Sequence, residues 1–277
     1  MELVDTHQHL WDLKRFPYSW CRGIPALNRS FHYRDYAAAA AGLGISKTVF
    51  VECDVDEPNA LAEAQMIQEA ADRHPSIAGI VASCRPEHPG FREHLGQLAR
   101  LPKVRGVRRI LHTQPDGLSQ GALFVENLRL LPSFGFSFDL CVLARQLPMA
   151  IALARQCPTV SFILDHCGVP DVRGGALDPW RAHIAEMAGL PNVVCKVSGL
   201  VAYAHPAWSA GDLRPWVEHV IAQFGWDRVV WGGDWPVCTA TATLAQWVGA
   251  TRELTGGASE RQRAGLFSGN ACRVYRI

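Results

Sequence analysis

The sequence lacks the paired cysteines that mark a thiolate metal site or a disulfide framework. Its nine cysteines are odd in number and evenly spread, and no two of them stand in a Cys-x-x-Cys arrangement. Several lie inside apolar runs, such as Cys141 within 138–142. This distribution argues against disulfides and zinc-thiolate sites, and it predicts small buried thiols in a reducing, cytoplasmic environment.

A basic excess and a membrane-length apolar run are also missing. Lys and Arg total 27 against 26 Asp and Glu, a net charge of +1, so we expect no nucleic-acid partner. No apolar stretch approaches a membrane span, and the acidic start, residues 1–5, has no basic n-region, so we expect neither a membrane partner nor a signal peptide. The 277 residues, 48% of them hydrophobic, are enough for one domain with a large core.

Short, nearly unbroken apolar runs alternate with longer segments of helical period. Each run ends in polar residues, which is typical of strands buried on both faces of a parallel sheet. The predicted strands are Leu3–His9, Lys47–Glu52, Ile77–Cys84, Val104–His112, Phe136–Val142, Val160–His166, Val193–Ser198 and Arg228–Asp234. The predicted helices are 35–43, 57–73, 92–101, 121–131, 145–156, 178–189, 213–224 and 244–254.

Eight such alternations with no linker between halves predict a single closed (β/α)8 TIM barrel, an α/β fold spanning residues 1–277. A doubly wound open sheet is the alternative. That fold usually carries a glycine-rich phosphate-binding turn after its first strand, where this chain has 6–12, THQHLWD. The sequence therefore favours the barrel.

Histidine and aspartate side chains stand at the ends of three predicted strands. His7 and His9 are two residues apart, so both lie on one face of the first strand, in the barrel interior at its mouth. Two imidazoles on one polar face need a metal, a carboxylate or a substrate, unless they simply begin a polar loop. His166 and Asp234 end two later strands; for Asp234 a helix N-cap is the alternative, although no obvious helix start follows it.

Basic and aromatic residues complete the predicted mouth. Arg108 and His112 share one face of the fourth strand, and Lys196 lies in the seventh. A buried Arg or Lys needs an anionic or polyhydroxylated partner; for Lys196 the alternative is an ion pair with a carboxylate such as Glu52. The long aromatic stretch 11–34 is interpreted as either a substrate wall or lid, or a surface loop with its own apolar cluster.

Five segments in order carry a resemblance to a known family. They are 4–11 (VDTHQHLW), 103–108 (KVRGVR), 164–168 (LDHCG), 196–199 (KVSG) and 231–236 (WGGDWP). Together they resemble the amidohydrolase superfamily, and more narrowly its lactonase branch, which includes fuconolactone, rhamnonolactone and pyrone-dicarboxylate hydrolases. His-x-His alone is a weak signal, but its combination with the later segments is specific.

This resemblance implies a distorted (β/α)8 barrel and hydrolysis of a cyclic ester. It assigns the strand-1 pair to His7 and His9, the later-strand histidine to His166, the strand-8 aspartate to Asp234 and the strand-4 arginine to Arg108. Members that hold a divalent metal use such a set of three histidines and one aspartate, and members of the lactonase branch can work without one. The chain has no clear strand-4 Lys or Glu to bridge two metals, which argues against a two-metal mechanism.

The resulting hypothesis is a lactonase that opens a sugar-acid lactone such as L-fuconolactone. Asp234 is the predicted general base, and His7, His9 and His166 orient the water and polarise the carbonyl. The same four residues are the predicted ligands if one Zn²⁺ binds, with Glu52 as a further candidate; no cofactor is required otherwise.

The small-molecule lactone is the expected partner, and its predicted contacts come from six residues: Arg108, His112, Lys196, Trp11, Trp20 and Trp235. Two other functions stay open at this point: a zinc-dependent decarboxylase or amide hydrolase on the same scaffold, and a non-catalytic sugar-binding barrel. The ring size of the lactone and the oligomeric state also stay open.

Overall fold

One parallel sheet of eight strands organises the chain, whose computed structural model describes residues 2–277. The strands are β1 Leu3–Gln8, β2 Ile45–Val51, β3 Ile77–Ser83, β4 Val104–Ile110, β5 Ser137–Cys141, β6 Phe162–Leu164, β7 Val193–Val197 and β8 Val229–Trp231. Each strand pairs in parallel with the next one along the chain. Spatial order equal to chain order confirms the barrel and excludes the doubly wound sheet, whose order reverses at a switch point.

The barrel closes between β1 and the segment that follows β8. The Asp234 amide donates to the His7 carbonyl over 2.7 Å, and the His9 amide donates to the Trp235 carbonyl over 2.8 Å. Strands β6 and β8 have only three residues each. The closure therefore depends on backbone hydrogen bonds beyond the strand ends, which makes the barrel a distorted one.

Helices cover the outside of the sheet. They are α1 Tyr33–Ala40, α2 Ala60–Arg73, α3 Phe91–Leu98, α4 Ala122–Leu128, α5 Leu131–Phe134, α6 Leu147–Gln156, α7 Trp180–Ala188, α8 Ala210–Phe224, α9 Leu244–Leu254, α10 Glu260–Ala264 and α11 Asn270–Tyr275. Each of the eight predicted helices has a counterpart, but α2 begins at Ala60, so Pro58 lies before the helix and not in its first turn. The segments α5, α10 and α11 were not predicted.

Two apolar layers fill the molecule. The larger lies between the sheet and the helices and contains large buried side chains such as Trp180, Trp247 and Phe138. The smaller lies inside the barrel, where Val49, Val51, Val81 and Ile163 pack around Tyr275 of α11. The C-terminal segment thus plugs the end of the barrel near the amino ends of the strands, and the opposite end stays open to hold polar groups.

The prediction of small buried thiols is confirmed, because all nine cysteines are free and eight of them are buried. Burial raises the pKa of the Cys141 thiol above its ordinary range, so this cysteine stays protonated. Within residues 2–277, none of the helices has the length and apolar character needed to cross a bilayer.

Candidate active site

The two histidines of β1 lie where their spacing predicts. His7 and His9 are both buried, and their ring centroids are 4.8 Å apart. Gln8 between them turns to the other face of the strand, where its side-chain carbonyl accepts a hydrogen bond from the Thr48 hydroxyl over 3.0 Å. The alternation of the strand therefore aims both imidazoles at one point inside the barrel mouth.

Asp234 and His166 approach the histidine pair from two other strand ends. Asp234 Oδ1 lies 3.5 Å from His9 Nε2 and 3.8 Å from His7 Nε2. The ring of His166 lies 4.4 Å from that of His7, and its Nδ1 shares a 2.8 Å hydrogen bond with the Ser198 hydroxyl. The structure thus brings the four predicted catalytic residues together around His7.

The backbone at these strand ends adopts left-handed conformations that non-glycine residues rarely accept. His166 has φ +53° and Asp234 has φ +56°, and Asp54 after β2 has φ +50°. Such conformations are costly and cluster at functional sites, where surrounding contacts hold them. The backbone therefore turns sharply after β2, β6 and β8, and the side chains of these turns face the barrel mouth.

Two glycines leave room for the histidine rings of the site. A Cβ on Gly199, which has φ +68°, would lie 2.4 Å from His166 Nδ1. A Cβ on Gly232 would lie 2.7 Å from the Cβ of His7. Only glycine accepts both the close approach and, at position 199, the left-handed backbone, so these residues of the segments 196–199 and 231–236 support the histidines by their lack of a side chain.

Lys196 lies beneath the histidines and does not reach the open cavity. Its fully buried ammonium lies 2.8 Å from Asp139 and 2.9 Å from Asp165, and it donates to His7 Nδ1 over 3.1 Å. Of the two interpretations of Lys196, direct contact with a substrate is therefore wrong, and an ion pair is what the structure contains. The alternative of an ion pair with a carboxylate is thus correct, but the partners are Asp139 of β5 and Asp165 directly after β6, where Glu52 was the suggested example.

Arg108 is equally committed to carboxylates. Its Nε donates to Glu52 Oε1 over 2.7 Å, and one terminal nitrogen donates to Asp165 Oδ2 over 3.1 Å while lying 3.3 Å from His7 Nε2. Glu52 also accepts a 2.7 Å bond from the Asp54 amide. With both of its oxygens engaged, Glu52 holds Arg108 in place and is not among the clustered metal-ligand candidates.

Burial and neighbouring charge decide the protonation of the site. Burial, followed by the Lys196 ammonium, lowers the pKa of His7 well below its usual 6.5. Burial also lowers the pKa of His166, and burial followed by Arg108 lowers the pKa of His112 to about 4. These imidazoles are therefore neutral at physiological pH and can act as hydrogen-bond donors, acceptors or metal ligands.

The buried aspartates respond in opposite directions. Burial raises the pKa of Asp139 to about 6, and the Lys196 ammonium opposes this effect. Burial acts on Asp165 in the same way, but Lys196, His7 and Arg108 together hold the pKa of this carboxyl well below its usual range. Asp165 is thus the permanent anion around which the two buried cations are arranged.

A cavity of about 330 Å³ opens above these residues. His9, His166, Asp234 and Arg108 form its floor, and His112 lies on its side. Aromatic and aliphatic side chains make up much of the remaining wall: Trp11, Trp20, Ile24, Leu27, Ile110 and Val237. A mostly apolar cavity with a few converging polar groups is the usual form of a small-molecule site.

The aromatic stretch 11–34 forms one wall of this cavity, which favours its interpretation as a substrate wall over that of a separate surface loop. Backbone hydrogen bonds between Trp11 and Phe31 tie its ends together, and the Trp20 indole donates to the Cys53 carbonyl over 2.6 Å. Trp235 is not on the wall. It is 4% exposed and packs edge-on against Phe31 and Tyr36, so it supports the loop from behind.

Several further wall residues did not emerge from the sequence, among them Asp54, Cys141 and Tyr203. Asp54 stands two positions after Glu52, where the prediction ended the strand. Cys141 closes β5 and lies 3.1 Å from His112 Nδ1, and Tyr203 lies in the short 3-10 helix after β7. A polar residue just past a strand end was the available signal for Asp54, whereas nothing in the sequence pattern singles out Tyr203.

The donor atoms at the mouth fit one divalent metal ion. Potential ligand atoms of His7, His9 and Asp234 lie within 4.8 Å of one another, and a second such group contains His7, Asp165 and His166. All are buried nitrogen or oxygen donors of the kind that Zn²⁺ binds. The four predicted ligands do not form one group, and in the second group Asp165 is already paired with Lys196 and Arg108, so the arrangement suits a single ion.

A parallel (β/α)8 barrel whose mouth gathers a His-x-His pair, a third histidine and an aspartate has the architecture and donor set expected of the amidohydrolases. The family described as Amidohydrolase matches residues 4–277, and the chain belongs to that family. The chain spans nearly the whole length of the relatives described next.

Two similar relatives are L-fucono-1,5-lactonases. The one from Burkholderia multivorans is 31% identical over 295 residues, covering 99% of this chain and 96% of the relative. The one from Burkholderia ambifaria is 29% identical over 281 residues, covering 99% and 95%. A solved amidohydrolase from Burkholderia multivorans with bound zinc is 27% identical, covers all of both chains and superposes with a TM-score of 0.91.

Proposed function

We propose that this protein hydrolyses the cyclic ester of a sugar acid, with L-fucono-1,5-lactone or a similar aldonolactone as substrate. The observation that carries the proposal is the Asp234 carboxylate, held 3.5 Å from His9 on the floor of the cavity. A buried carboxylate beside imidazoles that can orient a water molecule is what activation of water requires. The full-length similarity to two L-fucono-1,5-lactonases supports the choice of a lactone.

In the proposed reaction, Asp234 takes a proton from a water molecule as the water oxygen attacks the lactone carbonyl carbon. The carbonyl oxygen then carries the negative charge, and an N–H donor of His166 and the Arg108 guanidinium are the groups on the cavity floor that can stabilise it, since the proton of His9 is engaged by the Val51 carbonyl. Collapse breaks the bond between carbonyl carbon and ring oxygen. The ring oxygen receives the proton from Asp234, and the product is an open-chain hydroxy acid.

His7 has a supporting place in this scheme because it lies beneath the cavity floor. Lys196 contacts its Nδ1, and its Nε2 faces Asp234 and Arg108. The His7 ring therefore lies between the buried charges and Asp234, and it helps to fix the orientation of the Asp234 carboxylate. A stable orientation of the base matters because misplacement by about 1 Å can reduce a rate by about 10²-fold.

The same residues are the proposed ligands if the enzyme is loaded with zinc. His7, His9 and Asp234 would hold the ion, and His166 is the neighbouring imidazole. A bound Zn²⁺ supplies Lewis acidity and lowers the pKa of a coordinated water to about 7. A lactone is already an activated ester, and we propose that the metal is optional.

The walls fit the ring of a sugar lactone. Trp11 and Trp20 offer apolar ring faces, while His112 and Arg108 offer polar contacts beside them. Alternation of apolar and polar surface suits a molecule with C–H faces and hydroxyl edges. Lys196 and Trp235, which the sequence placed among the substrate contacts, act from behind this surface.

A pH-indicator assay across a lactone panel tests the proposal. The panel contains L-fucono-1,5-lactone, other five- and six-membered aldonolactones, simple alkyl lactones, an amide and an aromatic carboxylic acid, each with and without chelator. We expect acid release above the spontaneous rate for the sugar lactones in both conditions. Turnover of only the amide or the aromatic acid, dependent on metal, would instead indicate another amidohydrolase activity.

A further inference from the structure

Asp54 occupies an unusual position on the cavity wall. It follows β2 with a left-handed backbone, φ +50°, which its amide stabilises by donating to Glu52 Oε2 over 2.7 Å. The side chain is half-buried and lines the cavity that contains Asp234. A left-handed backbone, held by its own hydrogen bond, aims this carboxylate into a binding cavity, and such local strain is typical of residues that contact ligands.

The carboxylate of Asp54 has an incomplete set of partners. Its ion-pair contact is Arg85, at 3.7 Å from Oδ1, which is too long for a hydrogen bond. Arg85 is engaged elsewhere: it donates to Ser83 and to the Cys84 carbonyl, and it lies 2.9 Å from Glu57. Within residues 2–277, no hydrogen bond reaches the Asp54 carboxylate, so its oxygens are available to donors in the cavity.

The charges around the cavity show what those donors can be. Arg108 is paired with Glu52 and Asp165, and His112 is neutral because its pKa lies at about 4. Asp54 and Asp234 are therefore the wall groups whose charge is not matched at hydrogen-bond distance. An anionic group on the substrate would meet repulsion in this partly desolvated space, whereas neutral hydroxyl groups can donate to the carboxylate.

We infer that Asp54 is the specificity-determining residue of this cavity: it accepts hydrogen bonds from ring hydroxyl groups of the lactone and disfavours lactones that carry a carboxylate. This inference rests on the proposed lactonase function. It predicts that the enzyme distinguishes hydroxylated from unsubstituted lactones through one side chain, and that this side chain belongs to substrate binding and not to the chemical step.

Asp54→Asn tests the inference, since Asn also tolerates a left-handed backbone and keeps the shape of the side chain. The measurement is kcat and KM for L-fucono-1,5-lactone and for δ-valerolactone, an unsubstituted six-membered lactone. Hydrogen bonds to a charged acceptor exceed those to a neutral one by an amount worth about 10-fold. We expect the ratio of the two kcat/KM values to fall by about 10-fold, through KM of the hydroxylated substrate.

Glu57→Gln is the matched control, because it removes the other carboxylate partner of Arg85 without touching the cavity wall. We expect its substrate ratio to equal that of the wild type. A carboxylated lactone, 2-pyrone-4,6-dicarboxylate, provides the opposite readout: its kcat/KM should rise in Asp54→Asn, because a repelling charge has been removed.

The outcomes separate the inference from the proposed function. If Asp54→Asn lowers kcat/KM equally for L-fucono-1,5-lactone and δ-valerolactone, the substrate ratio is unchanged, the role of Asp54 is structural and the inference is overturned. Unchanged kcat/KM for both lactones would overturn it as well. Wild-type enzyme that opens none of the three lactones would overturn the proposed function, and the assignment of Asp54 with it.

Discussion

Lys196 is a buried cation whose partners are all inside the barrel. Burial alone would lower its pKa, but Asp139 and Asp165 outweigh burial and hold the pKa well above the usual range. The ammonium therefore remains charged and keeps His7 in a fixed setting between Lys196 and Arg108. Taking such charges out of water costs free energy, and removal of one member leaves its partners buried without a compensating charge.

Replacement of Lys196 by methionine should therefore reduce stability and the chemical step together. We expect the free energy of unfolding to fall by about 3–5 kcal/mol, because two aspartates lose their cation. In the folded fraction, kcat should fall while KM changes little, since the side chain does not reach the cavity. Denaturant unfolding and steady-state kinetics check this, with the exposed Lys14→Met as control. An increase in KM with kcat unchanged would mean that Lys196 contacts substrate.

Glu63 of α2 is a second buried ionisable group, and it titrates in an accessible range. Burial, followed by the Glu52 carboxylate, raises its pKa from 4.5 to about 8. One oxygen accepts a 3.4 Å bond from the Cys53 amide, and the other has no partner within the described residues. Between pH 4.5 and about 8, the folded protein thus still holds a proton there that the unfolded chain has already released.

Stability should consequently fall as pH rises through that window, because the folded state binds more protons than the unfolded state. Glu63→Gln removes this contribution. We expect the decrease of Tm from about pH 5 to about pH 9 to be smaller in the variant than in the wild type, by several degrees. Glu69→Gln, on the exposed side of the same helix, is the control. Equal slopes for wild type and Glu63→Gln would show that Glu63 ionises normally.

The turns after β6 and β8 position His166 and Asp234 more than the strands themselves do. Strands β6 and β8 end at Leu164 and Trp231, before His166 and Asp234 are reached. What holds His166 is the turn of left-handed residues after β6 and the close approach of Gly199 from the turn after β7. The geometry of the site is therefore sensitive to small changes in these turns.

Gly199→Ala should lower kcat by about 10²-fold, because the added Cβ would lie 2.4 Å from His166 Nδ1 and must displace the ring. Gly135→Ala is a close control. Gly135 has nearly the same φ, +69°, and open space around its Cβ position, so it carries the backbone cost without the collision. Similar activity of the two variants, measured after correction for the folded fraction, would contradict the positioning role of Gly199.

These elements also show how far the sequence could be interpreted. Eight strands were predictable because strands buried on both faces read as unbroken apolar runs, and their order followed from the barrel rule. Their carboxyl ends were placed too late, at His9, Glu52, His112 and Asp234. The polar residues at these points directly follow the apolar runs, so the sequence does not separate them from the strands. In the structure, the strands end one to three residues earlier.

The approximate location of the site could be predicted from the sequence, but the directions in which several of its side chains point could not. His7 and His9 follow from a period of two within one strand. Whether Lys196 or Trp235 faces the cavity depends on side chains of distant segments, Asp139 for the first and Phe31 for the second. Those pairings are fixed by tertiary packing, which a single sequence does not show.

The barrel has two ends with different tasks. Tyr275 and the valines of β2 and β3 close one end with apolar contacts, and the Tyr275 hydroxyl donates to Asp139 over 2.9 Å at the boundary. Above that boundary, Lys196 and the charges around Asp165 fill the interior up to the cavity floor. The buried charges thus pack against an apolar plug on one side, and on the other side they contact His7 below the cavity floor.

Metal content should be at most one ion per chain, because the second group of potential ligands depends on Asp165, which is already paired with Lys196 and Arg108. The proposal of an optional metal further predicts that a chelated, metal-free enzyme keeps most of its activity on sugar lactones. Elemental analysis combined with turnover of the chelated enzyme checks both statements. Two ions per chain would contradict the single site, and a complete loss of activity restored by Zn²⁺ would contradict the optional role.

Hydrolysis of L-fucono-1,5-lactone by wild type and Asp234→Asn, measured side by side, tests the proposed mechanism most directly. The substitution keeps the size of the side chain and removes the base, so the fold should remain, as circular dichroism and thermal unfolding can verify. We expect wild type to open the lactone faster than the spontaneous reaction and the variant to lose about 10²-fold or more in kcat. Near wild-type turnover by folded Asp234→Asn would contradict the assignment of Asp234 as the base.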